Sequence, residues 1–367
     1  MKSQRKVAIL GAGKIGGAIA KLLHHSGDYA ISVMDQRNDA LQLLAQQVDI
    51  ATEHFIISDV DSLAQLLTGF DAVISACSFD VNVLIAEAAL KTGISYFDLT
   101  EDVATTEVIR SLANGAREGQ IFMPQCGLAP GFIGILAADI AQRFATLDTI
   151  KMRVGALPKY PSNRMMYNLT WSTDGLINEY CNLCEAIEDS KRIKLVALEG
   201  LECFSLDGLE YEAFNTSGGL GTLCETLSGK VRELNYKTVR YKGHQYLMQF
   251  LTQELQLGNL ERRSLLKQIL ETSIPITKQD VVLTFVTVKG WRDGMLEQIT
   301  DARKIYHRQL FEEDWSAIQL TTSAGVCAVV DMFFNRELPQ RGFIKQEQVA
   351  LPLFLENRFG RYYQCDE

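Results

Sequence analysis

Apolar and polar positions alternate along the chain in two different rhythms. Over roughly the first 125 residues, short apolar runs stand at Lys6–Leu10, Ala30–Met34, His54–Ile57, Ala72–Ala76, Ser95–Leu99 and Ile121–Met123. Between them lie stretches with apolar residues at i, i+3 and i+4, such as Ile15–Leu23, Ala40–Gln47 and Val81–Thr92. Short apolar runs separated by helical periods predict strands alternating with helices, hence a parallel sheet covered on both faces. Six such strands match a doubly wound, Rossmann-type α/β domain.

The rhythm changes after a loop, Cys126–Gly131, and an apolar helix expected over Phe132–Phe144. Ile150–Gly155, Met165–Trp171, Ile193–Val196 and Val281–Val288 alternate in polarity, which predicts a mostly antiparallel sheet. A polar-rich helix is expected over Leu247–Ile269 and an apolar one over Thr321–Phe334. With 367 residues the chain exceeds the size at which one core usually stops growing. The expected division is a dinucleotide-binding domain over 1–127, an α+β substrate and dimerisation domain over 128–320, and a C-terminal segment, 321–367, that returns to the first domain.

Composition narrows the classes. Hydrophobic residues make up 47% and charged residues 22%, as in an ordinary globular enzyme. A net charge of −9 without a basic cluster argues against nucleic acid as a partner. No stretch reaches the roughly 20 apolar residues of a membrane span, and the apolar run Val7–Leu10 is short for a secretion signal of roughly 7–15 residues. No membrane association and a cytoplasmic location are expected. The eight cysteines (77, 126, 181, 184, 203, 224, 327 and 365) read as free thiols. Cys181 and Cys184 form a lone C-x-x-C with no second ligand pair, so no metal is expected and both are placed on one buried helix face.

The informative motif is Gly11-Ala12-Gly13-Lys14-Ile15-Gly16, a G-x-G-x-x-G between a strand and a helix. Gly11 permits the tight turn, Gly13 lets a pyrophosphate approach the backbone, and Gly16 allows close helix–strand packing. The helix N-terminus supplies free N–H groups and a positive dipole end. Asp35 ends the second strand, where a carboxylate accepts hydrogen bonds from ribose hydroxyls and repels a 2′-phosphate. NAD is therefore favoured over NADP, with Arg37 tempering that preference. From topology, Asp59 and Val60 are placed beside the adenine, and Ala76, Cys77 and Ser78 beside the nicotinamide ribose.

Further along, FDLTED at Phe97–Asp102, CGLAPG at Cys126–Gly131, GALPK at Gly155–Lys159, YNLTWS at Tyr167–Ser172, EAFNTSGGLGTL at Glu212–Leu223 and TVRYKGH at Thr238–His244 together resemble the saccharopine dehydrogenase-like family. The likeness spans nearly the whole chain and is greatest to its lysine 6-dehydrogenase branch. It implies NAD(P)-dependent oxidation or formation of a C–N bond on an amino acid, and in that branch oxidative deamination of the lysine ε-amine. Ala129 stands where saccharopine reductases carry Asp in this loop, a departure toward the lysine dehydrogenase pattern. The resemblance also implies a homodimer or higher homo-oligomer built on the second domain.

The T-x-R segment, Thr238 to Arg240, contacts substrate in saccharopine reductases. A guanidinium can hold an α-carboxylate through two parallel charge-assisted bonds; an internal salt bridge is the other reading of Arg240. Asp98, Glu101 and Asp102 are candidate proton acceptors, Asp98 and Glu101 foremost, with Thr100 beside them as a substrate contact; a helix cap or a solvated first turn are the alternatives. Tyr167 and Trp171 are expected to share one strand face, Tyr167 toward substrate and Trp171 toward the core. Two other functions stay open: a saccharopine or carboxynorspermidine-type reductase, and a dinucleotide-binding protein without catalysis.

Overall fold

A computed structural model describes residues 4–364; Cys365, one of the expected free thiols, lies outside them. In chain order the first elements are β1 (Arg5–Leu10), α1 (Lys14–Ser26), β2 (Tyr29–Asp35), α2 (Asn38–Gln47), β3 (Ala51–His54), α3 (Val60–Leu66), β4 (Ala72–Ser75), α4 (Asn82–Thr92), β5 (Ser95–Asp98), α5 (Val103–Ala113) and β6 (Ile121–Met123). Then come α6 (Phe132–Ala141), β7 (Thr146–Pro158), α7 (Thr173–Cys181), β8 (Cys184–Glu188), β9 (Lys191–Leu195), β10 (Glu202–Leu206), β11 (Leu209–Asn215), α8 (Leu223–Leu227) and β12 (Val231–Tyr241). The chain ends with α9 (His244–Gln249), α10 (Arg263–Ser273), β13 (Asp280–Arg292), β14 (Met295–Tyr306), β15 (Arg308–Leu310), β16 (Glu313–Trp315), α11 (Ala317–Phe334), β17 (Gly342–Phe343) and α12 (Leu351–Glu356).

The chain divides into two compact units. One runs up to Phe132 and resumes over Thr321–Tyr362; the other covers Ile133–Leu320 and resumes at Tyr363. The first holds a parallel sheet in the order β17-β6-β5-β4-β1-β2-β3. The order reverses at β1, between β4 and β2, which creates the crevice of a doubly wound sheet. Its strands are apolar on both faces, with Val7, Ala8, Ile9, Val73 and Ile74 fully buried. The seventh strand, β17, pairs with β6 and has no counterpart among the six expected.

The second unit holds the sheet β10-β11-β12-β7-β13-β14, with β8 beside β12 and β9 beside β8. Only β12 and β7 run parallel; the other pairings are antiparallel. Its hairpins close on two-residue turns with positive φ at both positions: Asp189-Ser190, Asp207-Gly208 and Asp293-Gly294. Such turns match the right-handed twist of the strands they join.

Several expected elements differ. The third strand is Ala51–His54 rather than His54–Ile57, so Phe55 and Ile57 leave the sheet. Met165–Trp171 forms no strand, and the shared strand face of Tyr167 and Trp171 falls with it. Its backbone is held instead by Asn163 Nδ2–H to the Tyr167 carbonyl at 2.6 Å and by Leu169 N–H to the Pro275 carbonyl at 3.0 Å. The apolar alternation there arises because the segment lies along a core of Leu176, Tyr180, Phe214 and Met248. Leu247–Ile269 is not one helix: α9 unwinds through a π turn at Phe250–Glu254, the chain breaks at Gln256 (φ 54°), and α10 starts afresh. A close turn forms there, and a Cβ on Gly258 would sit 3.1 Å from the Thr252 carbonyl oxygen. The apolar helix after Cys126–Gly131 stops at Ala141, short of Phe144. Cys181 ends α7 and Cys184 opens β8, so they do not share a helix face. Helix α11 is long and apolar enough to cross a membrane, but 83% of it is buried inside the protein.

Candidate functional site

In the first unit, the turn between β1 and α1 is shaped by contacts that exclude side chains. Gly11 has φ 105°, and a Cβ there would lie 2.8 Å from the Ala76 carbonyl oxygen; at Gly16 a Cβ would come within 1.8 Å of the Gly11 carbonyl oxygen. Those two glycines are demanded by the fold itself. Gly13 differs: an added Cβ would meet nothing of the protein within 4 Å. Its missing side chain therefore leaves open space in front of the first turn of α1, whose N-terminal Gly13 caps no N–H with a side chain.

Asp35 closes this turn. Its Oδ2 accepts from Ala12 N–H at 2.6 Å and its Oδ1 from Arg37 N–H at 2.8 Å. A cleft of about 300 Å³ opens beside them, lined by Gly11, Gly13, Asp35, Arg37, Ala76 and Cys77 among others. A helix start without a side-chain cap, a glycine without neighbours and a strand-end carboxylate suit a diphosphate with an attached ribose, so the residues fit a dinucleotide. Cys77 is pushed up to about 12 by burial, then by Asp35 nearby, so its thiol stays protonated. Lys14 and Ile15 occupy the first turn of α1 and Gly16 its packed underside.

Asp59 and Val60 do not line this cleft. Asp59 caps α3 by accepting from Ser62 N–H at 2.8 Å, and that bond, with those from the Ser58 and Ser62 hydroxyls, holds its carboxyl below the usual range. The cleft wall is built instead by Phe55 and Ile57, which the shortened β3 releases from the sheet. Two aromatic or aliphatic residues just past a strand end are a signal that an early strand boundary would have exposed.

The acids after β5 separate into distinct jobs. Asp98 is fully buried. Its Oδ1 accepts from Thr100 N–H and Gln125 N–H, both at 2.9 Å, and its Oδ2 from the Tyr96 hydroxyl at 2.7 Å and Asn82 Nδ2–H at 3.4 Å. Burial pushes it up to about 6, against the lowering pull of those donors. Four donors saturate its oxygens and no surface reaches solvent, so Asp98 organises loops and is not placed to take a substrate proton. One of those loops carries Gln125 at φ 66°, a conformation that a non-glycine residue keeps only when held. Asp102 is the cap of α5, accepting from Thr105 N–H at 2.7 Å. The Thr100 side chain accepts from Asp102 N–H at 3.1 Å and is buried. Glu101 is half-buried, as Asp102 is, and is the acid of the group that neither caps α5 nor is sealed from solvent.

In the second unit, Thr238 and Arg240 project from the same face of β12, two residues apart. Thr238 shares a 2.7 Å hydrogen bond with Thr216. Arg240 is only 3% exposed. Its Nε–H donates to the Tyr180 hydroxyl at 3.0 Å and one terminal nitrogen to the Val239 carbonyl at 2.9 Å, and it lies 5.1 Å from the centre of the Tyr167 ring. Among the described residues it forms no ion pair. Glu212 stands opposite it in register but is engaged elsewhere: its oxygens accept from Gly243 N–H at 2.8 Å and Gln245 N–H at 2.5 Å. The buried Glu179 is near enough to favour the charged guanidinium, though not as a direct ion pair; a buried guanidinium that lacks a directly paired carboxylate is costly, by several kcal/mol. The Tyr167 hydroxyl beside it is also buried and without a hydrogen-bond partner. Trp171 packs against Gly175, where a Cβ would strike its ring at 2.4 Å.

Tyr180 and His244 were not singled out by the sequence, although His244 closes the quoted segment Thr238–His244. His244 is fully buried and lowered to about 3, first by desolvation and then by the charge of Arg240.

Against known proteins, the family models for the saccharopine dehydrogenase NADP binding domain and the saccharopine dehydrogenase C-terminal domain match residues 7–123 and 127–357. Among curated proteins, a 184-residue stretch is 22% identical to the mitochondrial alpha-aminoadipic semialdehyde synthase of Rattus norvegicus, and as similar to that of Mus musculus. That stretch is 48% of this chain and spans only 20% of the relative's length. Among solved structures, the apo saccharopine dehydrogenase (L-Glu forming) of Saccharomyces cerevisiae superposes with a TM-score of 0.77 at 16% identity, covering 96% of both chains. The homospermidine synthase of Legionella pneumophila, solved with NAD, gives 0.68 at 13% identity, covering 100% of this chain and 90% of the other. At such identities these likenesses speak for the fold.

Proposed function

The chain belongs to the saccharopine dehydrogenase family, and from that premise we propose that it is a dinucleotide-dependent oxidoreductase that acts on a C–N bond of an amino acid. The finer reading is oxidative deamination of the lysine ε-amine with NAD. The observation that carries the amino-acid part is Arg240, a buried guanidinium beside the unpartnered Tyr167 hydroxyl, which none of the described carboxylates meets in a direct ion pair. An α-carboxylate supplies the missing charge and accepts from both groups.

A dinucleotide held by the α1 N-terminus and Asp35 would supply a hydride acceptor for the carbon bearing the amine. Loss of that hydride and a proton from the neutral amine leaves an imine, which water cleaves to an aldehyde and ammonia. What this chain contributes is positioning and charge. The α1 N-terminus and Gly13 receive the diphosphate, Asp35 the ribose hydroxyls, Arg240 the carboxylate, and Glu101, which neither caps α5 nor is sealed from solvent, is the acid of its loop for the amine proton.

The preference for NAD rests on Asp35, whose carboxylate lines the cleft and repels a 2′-phosphate. The test is NADH formation with lysine, ornithine, saccharopine and linear diamines, repeated with NADP and in the reducing direction. Turnover of lysine with release of ammonia supports the reading. Reductive coupling of the semialdehyde to glutamate, without lysine oxidation, replaces it by a saccharopine reductase.

A further inference from the structure

Four residues from three separate stretches form a continuous chain of contacts behind Arg240. Arg240 Nε–H donates to the Tyr180 hydroxyl at 3.0 Å. That hydroxyl, having accepted, directs its own proton to His244 Nε2 at 3.2 Å. His244 Nδ1–H then donates to the Met165 carbonyl at 2.9 Å. The directions are mutually consistent only for a neutral imidazole protonated at Nδ1. Rings brace the same line: Tyr167 lies 5.1 Å and Phe214 6.4 Å from His244, centre to centre.

We propose that Tyr180 and His244 are positioning residues: they fix the Arg240 guanidinium by its Nε edge and, through Met165, hold the segment that presents the Tyr167 hydroxyl, so that the two groups meet the substrate's carboxylate as a preformed clamp. This rests on the reading of Arg240 as carboxylate anchor and adds what aims it. The geometry carries the assignment. Nε and one terminal nitrogen of Arg240 are taken by Tyr180 and Val239, which leaves the other terminal nitrogen as the edge for a ligand. Met165 lies two residues before Tyr167, so the imidazole ties the strand bearing the cation to the segment bearing the hydroxyl. A clamp aimed before binding avoids the ordering that otherwise weakens association.

The test uses the full chain, NAD and the amino acid that turns over in the screen above. Tyr180→Phe keeps the ring and deletes the relay hydroxyl. His244→Gln offers an amide oxygen near the Nε2 position, whereas His244→Asn keeps a donor for the Met165 carbonyl and loses the acceptor for Tyr180. The expected result is a rise in KM for the amino acid of roughly ten-fold or more for Tyr180→Phe and His244→Asn, the size of one hydrogen bond to a charged group. KM for NAD stays within about two-fold, and His244→Gln recovers most of the loss. Two results overturn the relay. One is an unchanged amino-acid KM in Tyr180→Phe. The other is a lowered melting temperature with His244→Gln no better than His244→Asn, the mark of a merely structural pair. Arg240→Ala separates the two layers: if it leaves the amino-acid KM unchanged, the anchor itself is wrong; if it raises that KM while Tyr180→Phe does not, only the relay falls.

Discussion

The dinucleotide cleft and the Arg240 cluster solve recognition of charge by opposite means. The cleft meets an anion with backbone: amides at the start of α1, exposed because Gly13 has no side chain, and steered by one carboxylate, Asp35. Its glycine turn and Asp35 lie within 25 residues of one another along the chain, and its walls come from Phe55 and Ile57 and from around Ala76 and Cys77. The Arg240 cluster meets an anion with a full side-chain charge buried among tyrosines, and its parts come from positions 165, 167, 180, 240 and 244. The backbone site tolerates change poorly wherever an added atom collides. The side-chain site tolerates no change that unbalances a buried charge.

The sharpest break between the two comes at the glycines. Gly16→Ala drives a Cβ to within 1.8 Å of a carbonyl oxygen. The expected outcome is loss of dinucleotide binding by about 100-fold or more together with a lower melting temperature, read by calorimetric titration and thermal melting. Gly13→Ala sharpens the contrast: with no protein atom in the way, the melting temperature stays put while dinucleotide affinity drops about ten-fold. Equal effects at both positions would mean that Gly13 serves the fold and not a ligand.

Arg240→Ala acts on the other region alone. One charge-assisted hydrogen bond from the terminal nitrogen left open, at roughly 1.5–3 kcal/mol, puts the rise in amino-acid KM at up to about 100-fold, with the NAD KM little changed. A smaller effect is expected from Asp35→Ala, about a ten-fold loss of discrimination between NAD and NADP in relative kcat/KM. An unaltered preference would remove the ribose contact from Asp35.

The smallest effect is in stability against pH. His244 falls from an ordinary 6.5 to about 3 on folding, so the folded protein resists protonation there. The stability its neutral form supports is present above pH 6.5 and is lost progressively as pH falls toward about 3. The slope is at most about 1.4 kcal/mol per pH unit. Asp98 and Asp280, both raised to about 6 by burial, run the other way: ionised at neutral pH, they relieve a cost as pH falls through 6 toward 3.8. Denaturant unfolding of the wild type and His244→Gln, compared between pH 7 and pH 5, isolates the histidine. Parallel curves would contradict its depressed value.

The architecture was legible wherever the pattern was local and repeated. β1, β2, β4, β5 and β6 and the helices between them match the expected runs to within a few residues, because a strand buried on both faces has to be continuously apolar. The second sheet was read only in part. Asp207-Gly208 and Asp293-Gly294 carry the dipeptide signature of a tight hairpin, and attention to it would have marked β10, β11 and β14. Met165–Trp171 misled because alternation records which side of a segment meets the core, whether or not another strand pairs with it.

What the sequence by itself determined is the parallel, doubly wound frame and the glycine turn, because period and backbone geometry are properties of neighbouring residues. Only tertiary structure decided that Asp98 is sealed among four donors while Glu101 stays accessible, that Phe55 and Ile57 wall the cleft, and that Tyr180 and His244 stand behind Arg240. Burial, hydrogen-bond partners and the proton affinity of an acid or imidazole depend on which distant segments surround it, and that is set by strand register and packing across the whole chain.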